Sequence, residues 1–307
     1  MELVGTEQCS VPTDKKMKRH LLCKICVLIF LLIFLFAIDS FAQGTETQST
    51  SWFNKDRLNV LLFLVLFFAF VLFFINQAKK GKSLFVRKIP GLDAVEEAVG
   101  RATEMGKPIL YISGIEDMDN IQTVASMIIL GNVAKMVATY DIPLLVPICR
   151  PFVVPVAEES VRQGYMSAGR PDAYKKDNIR YISDEQFAYT AGVNGIMLRE
   201  RPAANLMFGS FYAESLVMAE TGFSTGAIQV AGTANIHQLP FFVVACDYTL
   251  IGEELFAASA YLSREPKLLG SLKGSDLAKL VIIIILVIGV ILETFGVTRF
   301  TKWFFVQ

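Results

Sequence analysis

The sequence predicts an α/β chain: a mostly parallel sheet with helices on both faces, Rossmann-like, flanked by transmembrane helices. Three observations carry that expectation. Short apolar runs alternate with longer helical patterns across residues 107–262, as in βαβ units. Hydrophobic residues make up 53% of the 307, charged residues 19%, and mean hydropathy is +0.47. An ordinary globular chain is roughly 45–50% apolar and about 25% charged. The excess is gathered near residues 25–42, 58–75 and 280–292. This distribution excludes a disordered chain, a collagen-like fibre and a small disulfide scaffold.

The N-terminus carries Lys15, Lys16, Lys18 and Arg19, then an apolar run from Val27 to Ile38, then Ser40-Phe41-Ala42. A basic region, an apolar core and a small-x-Ala site describe a signal peptide cleaved after Ala42. The alternative is an uncleaved first membrane helix. Leu58–Ile75 is 18 residues without a charge, enough to cover most of a ~30 Å hydrocarbon core. Lys79, Lys80, Lys82, Arg87 and Lys88 follow with no acid among them, which places that side in the cytoplasm. Leu277–Val297 is the second span, with Lys279 snorkelling to the interface and Trp303 and Phe304 in the outer aromatic belt. A shallow interfacial helix is the competing reading, but Ile282–Leu286 has no polar face.

The chain thus divides into a signal peptide or uncleaved helix (1–42), a short extracytoplasmic segment (43–57) and a transmembrane helix (58–75). A basic juxtamembrane segment (76–89), a cytoplasmic α/β domain (90–276), a second transmembrane helix (277–297) and an extracytoplasmic tail (298–307) follow. The expected location is a cell membrane, with the main domain facing the cytoplasm. Residues 90–276 carry 22 Asp and Glu against 14 Lys and Arg, a balance unsuited to nucleic acid.

Within the domain, Lys107–Gly114 reads as a buried strand. Asp119 or Asn120 caps a helix to about Thr139 that is apolar nearly all round and therefore buried. Leu144–Cys149 is the second strand, with Pro147 arguing against a fully paired central position. A helix from about Pro155 to Ser167 follows, then a short strand at Asn178–Ile182. Ser183-Asp-Glu-Gln186 reads as a capping box for a helix to Arg199. Asn205–Gly209 is a third apolar run, before a helix from Ser210 to Thr221. Gly222–Gly232 reads as a small, Gly-rich stretch. Leu239–Cys246 reads as the last strand, with Thr249 capping a helix to Leu262. Glu265–Lys273 reads as a polar linker. The Gly192/Gly195 and Gly222/Gly226/Gly232 sets suit turns within the chain rather than contacts between chains.

The segments Tyr111-Ile-Ser-Gly-Ile-Glu-Asp-Met-Asp-Asn-Ile-Gln-Thr123, Ala231-Gly-Thr-Ala-Asn-Ile-His-Gln-Leu-Pro240 and Cys246-Asp-Tyr-Thr-Leu-Ile-Gly-Glu-Glu254 resemble an uncharacterised prokaryotic family of membrane-anchored α/β proteins. The resemblance covers about residues 55–295. It implies two membrane helices around a cytoplasmic domain, and no particular activity.

Open α/β sheets bind ligands beyond the strands' carboxyl ends. The candidate site there comprises Gly114, Glu116, Asp117, Arg150, Gly209, Ser210, Asp247 and Thr249. The glycines would let a ligand approach the backbone. Glu116, Asp117, Asp119 and Asp247 could hold a hard cation, and Arg150 could offset an anion. The competing reading makes the acids helix caps and Arg150 their ion-pair partner. No GxGxxG or GxxxxGK[ST] motif occurs, and Gly209-Ser-Phe-Tyr212 is not a GxSxG elbow. Ser210, His237 and Asp247 have the chain order of a hydrolase triad without its context. Cys23 and Cys26 lack a second metal-ligand pair, and Cys149 and Cys246 read as buried thiols. The sequence calls for no cofactor.

The expected role is a membrane-anchored scaffold or assembly subunit, a non-enzyme rather than an enzyme, whose partners are the lipid bilayer and a second copy or another membrane protein. A membrane-tethered small-ligand sensor is the alternative, and a metal-dependent hydrolase stands behind both.

Overall fold

The computed structural model describes residues 58–80 and 89–296. The expected signal peptide, the 43–57 segment, residues 81–88 of the basic stretch and the 298–307 tail lie outside the described residues.

The elements in chain order are α1 (Leu58–Lys79), α2 (Pro90–Met105), β1 (Ile109–Gly114), α3 (Ile121–Tyr140), β2 (Leu144–Ile148), α4 (Val153–Ser167) and β3 (Ile179–Tyr181). There follow α5 (Gln186–Glu200), β4 (Ala204–Ser210), α6 (Glu214–Thr225), β5 (Ile228–Thr233), α7 (Leu239–Ala245), β6 (Tyr248–Ile251), α8 (Glu254–Ser263) and α9 (Pro266–Thr294). All ladders are parallel, and the six strands lie in the order β3-β2-β1-β4-β5-β6. The α/β expectation therefore holds, with a sheet parallel throughout.

Strand side chains alternate between two cores, as period-2 geometry requires. Ile109, Tyr111, Leu206 and Phe208 belong to one core with residues of α2, α3, α4 and α8. Leu110, Ile112 and Met207 belong to the other with Tyr189 of α5, Met218 of α6 and Phe242 of α7. The apolar helix α3 is buried as expected, under α4 and α8. Asn120 caps it, its side chain accepting a hydrogen bond from the Gln122 amide at 2.9 Å. As Pro147 led one to expect, β2 is not paired on both sides along its whole length. The first half, Leu144–Leu145, pairs with β1, and Val146–Ile148 pairs with β3. The Pro147 carbonyl instead accepts from the Tyr189 hydroxyl at 3.0 Å.

Several expectations fail for identifiable reasons. Leu239–Ala245 is helical, with Pro240 in its first turn, because a short continuous apolar run fits a buried helix as well as a strand. The last strand is Tyr248–Ile251, so Thr249 lies inside a strand and caps no helix. The Gly-rich stretch hides β5, where Gln229 interrupts the apolar pattern. Glu185, not Ser183, caps α5, accepting from the amides of Phe187 and Ala188. Helix α6 begins at Glu214 rather than Ser210. The expected polar linker is the start of α9, a continuous helix of 29 residues.

Helices α1 and α9 are each long and apolar enough to cross a membrane. They pack side by side through the glycines of the supposed linker. A Cβ on Gly270 would stand 2.6 Å from the Ile75 Cα, and one on Gly274 would stand 2.8 Å from the Val71 Cα. Small residues are what allow apolar helices to approach this closely.

Helix α8 follows the carboxyl end of β6 after two residues and packs back on the sheet. Arg264 (φ 52°) turns the chain, and α9 returns beside α8. The Lys279 ammonium thereby reaches the Glu253 carboxylate, just beyond β6. The rest of α9 projects past the carboxyl edge of the sheet.

Candidate functional site at the carboxyl edge of the sheet

The chain winds outward from β1 to β3 on one side of the sheet and from β4 to β6 on the other. The crevice between the carboxyl ends of β1 and β4 is where such sheets hold ligands. Gly114 and Gly209 meet there, but their missing side chains leave no room for a ligand. A Cβ on Gly114 (φ 83°) would lie 2.4 Å from the Ser210 oxygen. One on Gly209 (φ 140°) would lie 2.2 Å from the Ser113 oxygen. The ladder register shifts at this point, and the Ile115 amide donates to the Ser210 carbonyl at 3.1 Å. The glycines serve the approach of one strand to the other, and the expectation of a ligand-accessible backbone is corrected.

A hydrogen-bonded latch closes the same edge. Gln122, at the start of α3, donates through Nε2 to Asn235 Oδ1 at 3.0 Å, and its Oε1 accepts from the Ala234 amide at 2.7 Å. Asn235 Nδ2 donates to Ser210 Oγ at 3.1 Å and to the Phe211 carbonyl at 2.7 Å. The loops after β4 and β5 are thus fastened to α3. Buried polar groups need such partners, and here the chain supplies them itself.

Asp117 accepts from the amide of Met118 at 2.7 Å, and its carbonyl accepts from the Asn120 amide at 3.1 Å. The acid shapes the turn before α3. Arg150 Nε donates to the Ile115 carbonyl at 2.9 Å, so the guanidinium braces the β1 loop from β2. The Tyr212 phenol is held above its usual value, first by its hydrogen bond to Glu116 and then by burial, and it stays protonated. Glu214 is fully buried at the start of α6. Its carboxylate accepts from the Tyr212 amide at 2.8 Å and from Gln186 Nε2.

Asp247 and Thr249 stand apart from these residues. Asp247 precedes β6 and accepts from the Gln229 amide at 2.8 Å, at the amino edge of the sheet. Thr249 pairs with Ala231 within the sheet, and its hydroxyl donates to the Phe242 carbonyl at 3.2 Å. The misread last strand had placed both at the carboxyl edge. Glu116, Asp117, Asp119 and Asp247 therefore do not converge on one cation. Among the described residues, no group of three or more His, Cys, Asp or Glu is placed to hold a metal. The Ser210, His237 and Asp247 order yields no triad, since Ser210 is engaged by Asn235 and Asp247 lies across the sheet.

Sequence reasoning missed Gln122, Asn235, Tyr212 and Glu214. Asn235 sits in a loop whose preceding strand was not recognised, and only that strand identifies the loop as a carboxyl-edge loop. Burial raises the Cys149 thiol to about 11, offset in part by Arg150. Burial, with the Asp247 charge, raises Cys246 to about 12. Neither is an activated nucleophile.

The second feature of note is a face. Helices α5, α6 and α7 cover one side of the sheet, and their outward residues include Phe187, Leu198, Val217, Phe223, Val243 and Val244, the last 88% exposed. Their only charged residues are Arg199, Glu200, Glu220 and the buried Glu214. The opposite side is different: α2 carries Asp93, Glu96, Glu97, Arg101 and Glu104, and α4 carries Glu158, Glu159 and Arg162.

No curated protein and no solved structure matches the chain. Residues 48–304 match the family described as a domain of unknown function, DUF6754, and the chain belongs to that family.

Proposed function

We propose that this chain is a membrane-anchored assembly subunit that acts by associating with itself or with a membrane partner. The observation that carries the reading is the charge-poor, apolar outer face of α5–α7. Exposed apolar surface on this scale marks an association site, and the other side of the sheet shows that the domain does not lack charge in general. The self-closed crevice between β1 and β4 supports the same reading, because the protein fills the space a ligand would take. The order β3-β2-β1-β4-β5-β6 supports reading the sheet as a doubly wound, Rossmann-like platform.

In this reading α1 and α9 cross the inner membrane of a prokaryote. The basic run from Lys79 to Lys88 keeps the α/β domain in the cytoplasm. A cysteine at Met166, with Cys9, Cys23 and Cys26 replaced by Ser, should react with an impermeant maleimide only after the cells are permeabilised. Purified in mild detergent, the full chain should have the mass of a discrete oligomer or hetero-complex. Val244→Asp and Phe223→Asp should shift it toward the monomer while keeping the fold. A monomer in the unaltered protein, with no partner retained, overturns the proposal.

The sensor reading keeps one specific support, the Glu116–Tyr212 hydrogen bond at the half-exposed mouth of the edge. A metabolite retained in native mass spectrometry, and lost in Tyr212→Phe or Glu116→Gln, would favour it.

A further inference from the structure

We propose that α1 is a second self-association element beside the α5–α7 face, pairing in parallel with α1 of a second copy along Leu61, Val65, Phe68 and Leu72; this rests on the assembly reading above.

The seam with α9 uses one side of α1. Gly270 faces Ile75 and Gly274 faces Val71, while Phe63, Phe67 and Phe70 share a narrow slot with Ala278 and Ile282. The two helices are therefore antiparallel, and their levels correspond residue by residue. Lys273 lies level with Leu72, Asp276 with Ala69 and Lys279 with Leu66.

That register creates a conflict. Asp276 is charged and exposed and needs water or headgroups beside it. Lys279 is tied to Glu253 of the α/β domain. The aqueous side therefore reaches this level along α9. Yet α1 stays uncharged down to Ile75, six residues or about 9 Å beyond Ala69. Its outward face at these levels holds Phe68, 55% exposed, and Leu72, 62% exposed. Lipid at one depth offers either hydrocarbon or a polar interface, and the two helices ask for both.

A second copy resolves the conflict. Every copy crosses the membrane in the same direction, so its α1 presents the same residues at the same depth. Packing α1 against α1 covers the apolar stripe and leaves the charges of α9 facing outward. The stripe has the spacing this needs: Leu61, Val65, Phe68 and Leu72 are separated by four, three and four residues, the repeat of a helix-on-helix seam. It carries no charge that would repel its own copy.

The test is oxidative cross-linking in native membranes. Single cysteines are placed in the full chain with Cys9, Cys23 and Cys26 replaced by Ser; Cys149 and Cys246 remain. Val65→Cys, Phe68→Cys and Leu72→Cys should give disulfide-linked dimers, and Phe63→Cys and Phe70→Cys, which face α9, should not. Equal cross-linking at all five positions reflects random collision and overturns the proposal. So does quenching of a fluorophore at Leu72→Cys by brominated phosphatidylcholine, which shows lipid on the stripe. If the stripe does not cross-link but the detergent-solubilised chain is oligomeric, the α1 pairing fails and the assembly reading survives. A monomer without cross-links removes both.

Discussion

Gly114 and Ser210 lie so close that a Cβ on the glycine would meet the serine carbonyl oxygen at 2.4 Å and its amide nitrogen at 2.8 Å. Both atoms are backbone and cannot swing aside. Gly114→Ala should therefore cost more than its positive φ alone. A left-handed conformation costs a non-glycine residue about 1–2 kcal/mol; with the backbone displaced as well, the loss should exceed about 3 kcal/mol. Gly169→Ala is the control, since Gly169 has φ 73° and nothing within 4 Å of its ideal Cβ. Denaturant titration of both variants isolates the strand contact. Equal losses would mean that Gly114 is needed only for its dihedral angle.

The latch should behave as one unit. Gln122→Ala strips the Ala234 amide and Asn235 Oδ1 of their partner, and Asn235→Ala removes the donor to Ser210 and Phe211. Each should cost about 1–3 kcal/mol, the penalty for an unpaired buried polar group. The double variant should lose less than the sum, with a coupling of about 0.5–3 kcal/mol. Additive losses would show that the two loops are held independently.

The two described thiols should make the protein sensitive to alkali. Cys149 and Cys246 are raised from an ordinary value of 9.0 to about 11 and about 12. A raised value means that the folded chain holds the proton more tightly than the unfolded one. The associated stability is complete below about pH 9 and is lost as pH rises toward 11–12. Tyr189, raised well above its usual value by burial, extends the decline to higher pH. Melting temperature should fall from pH 9 upward, and the Cys149→Ala, Cys246→Ala double variant should show a shallower slope whatever its absolute stability. An unchanged slope would assign the alkaline loss to other groups.

The sequence and the structure agree where one periodicity dominates. The α3 pattern is apolar on every side, so it announced a buried helix, and Pro147 announced a strand that is not fully paired. The errors fall where periodicity is silent. Leu239–Ala245 is too short and too uniformly apolar to choose between helix and strand. Gln229 disguises β5 because its amide is buried, donating to the Ala219 and Ala245 carbonyls. Those two misreadings moved Asp247 and Thr249 to the wrong edge. Gly114, Glu116, Asp117, Arg150, Gly209 and Ser210 were placed correctly on the chain, yet what fills the space between them depends on the Asn235 loop, which no local pattern reveals. Gly270 and Gly274 were legible as glycines, but only the register with α1 shows that they make a seam rather than a break.

That seam supplies the last expectation. A side chain on Gly274 would collide with the Val71 backbone, and one on Gly270 with that of Ile75. Both contacts are with backbone, which cannot swing aside, so the helices must part to admit a larger side chain. Gly274→Leu should therefore separate α1 from α9 along the slot where Phe67 meets Ala278. Ser275→Leu, one residue on and only partly buried, adds the same volume to the same helix and should leave the pair together. A disulfide between Phe67→Cys and Ala278→Cys reports the contact directly. It should form in the otherwise unaltered chain, persist with Ser275→Leu and be lost with Gly274→Leu. Loss in both variants would indicate general damage to α9. Persistence in both would show that the helices are held together from outside the seam, for instance through the Lys279–Glu253 pair and the α8 contact alone.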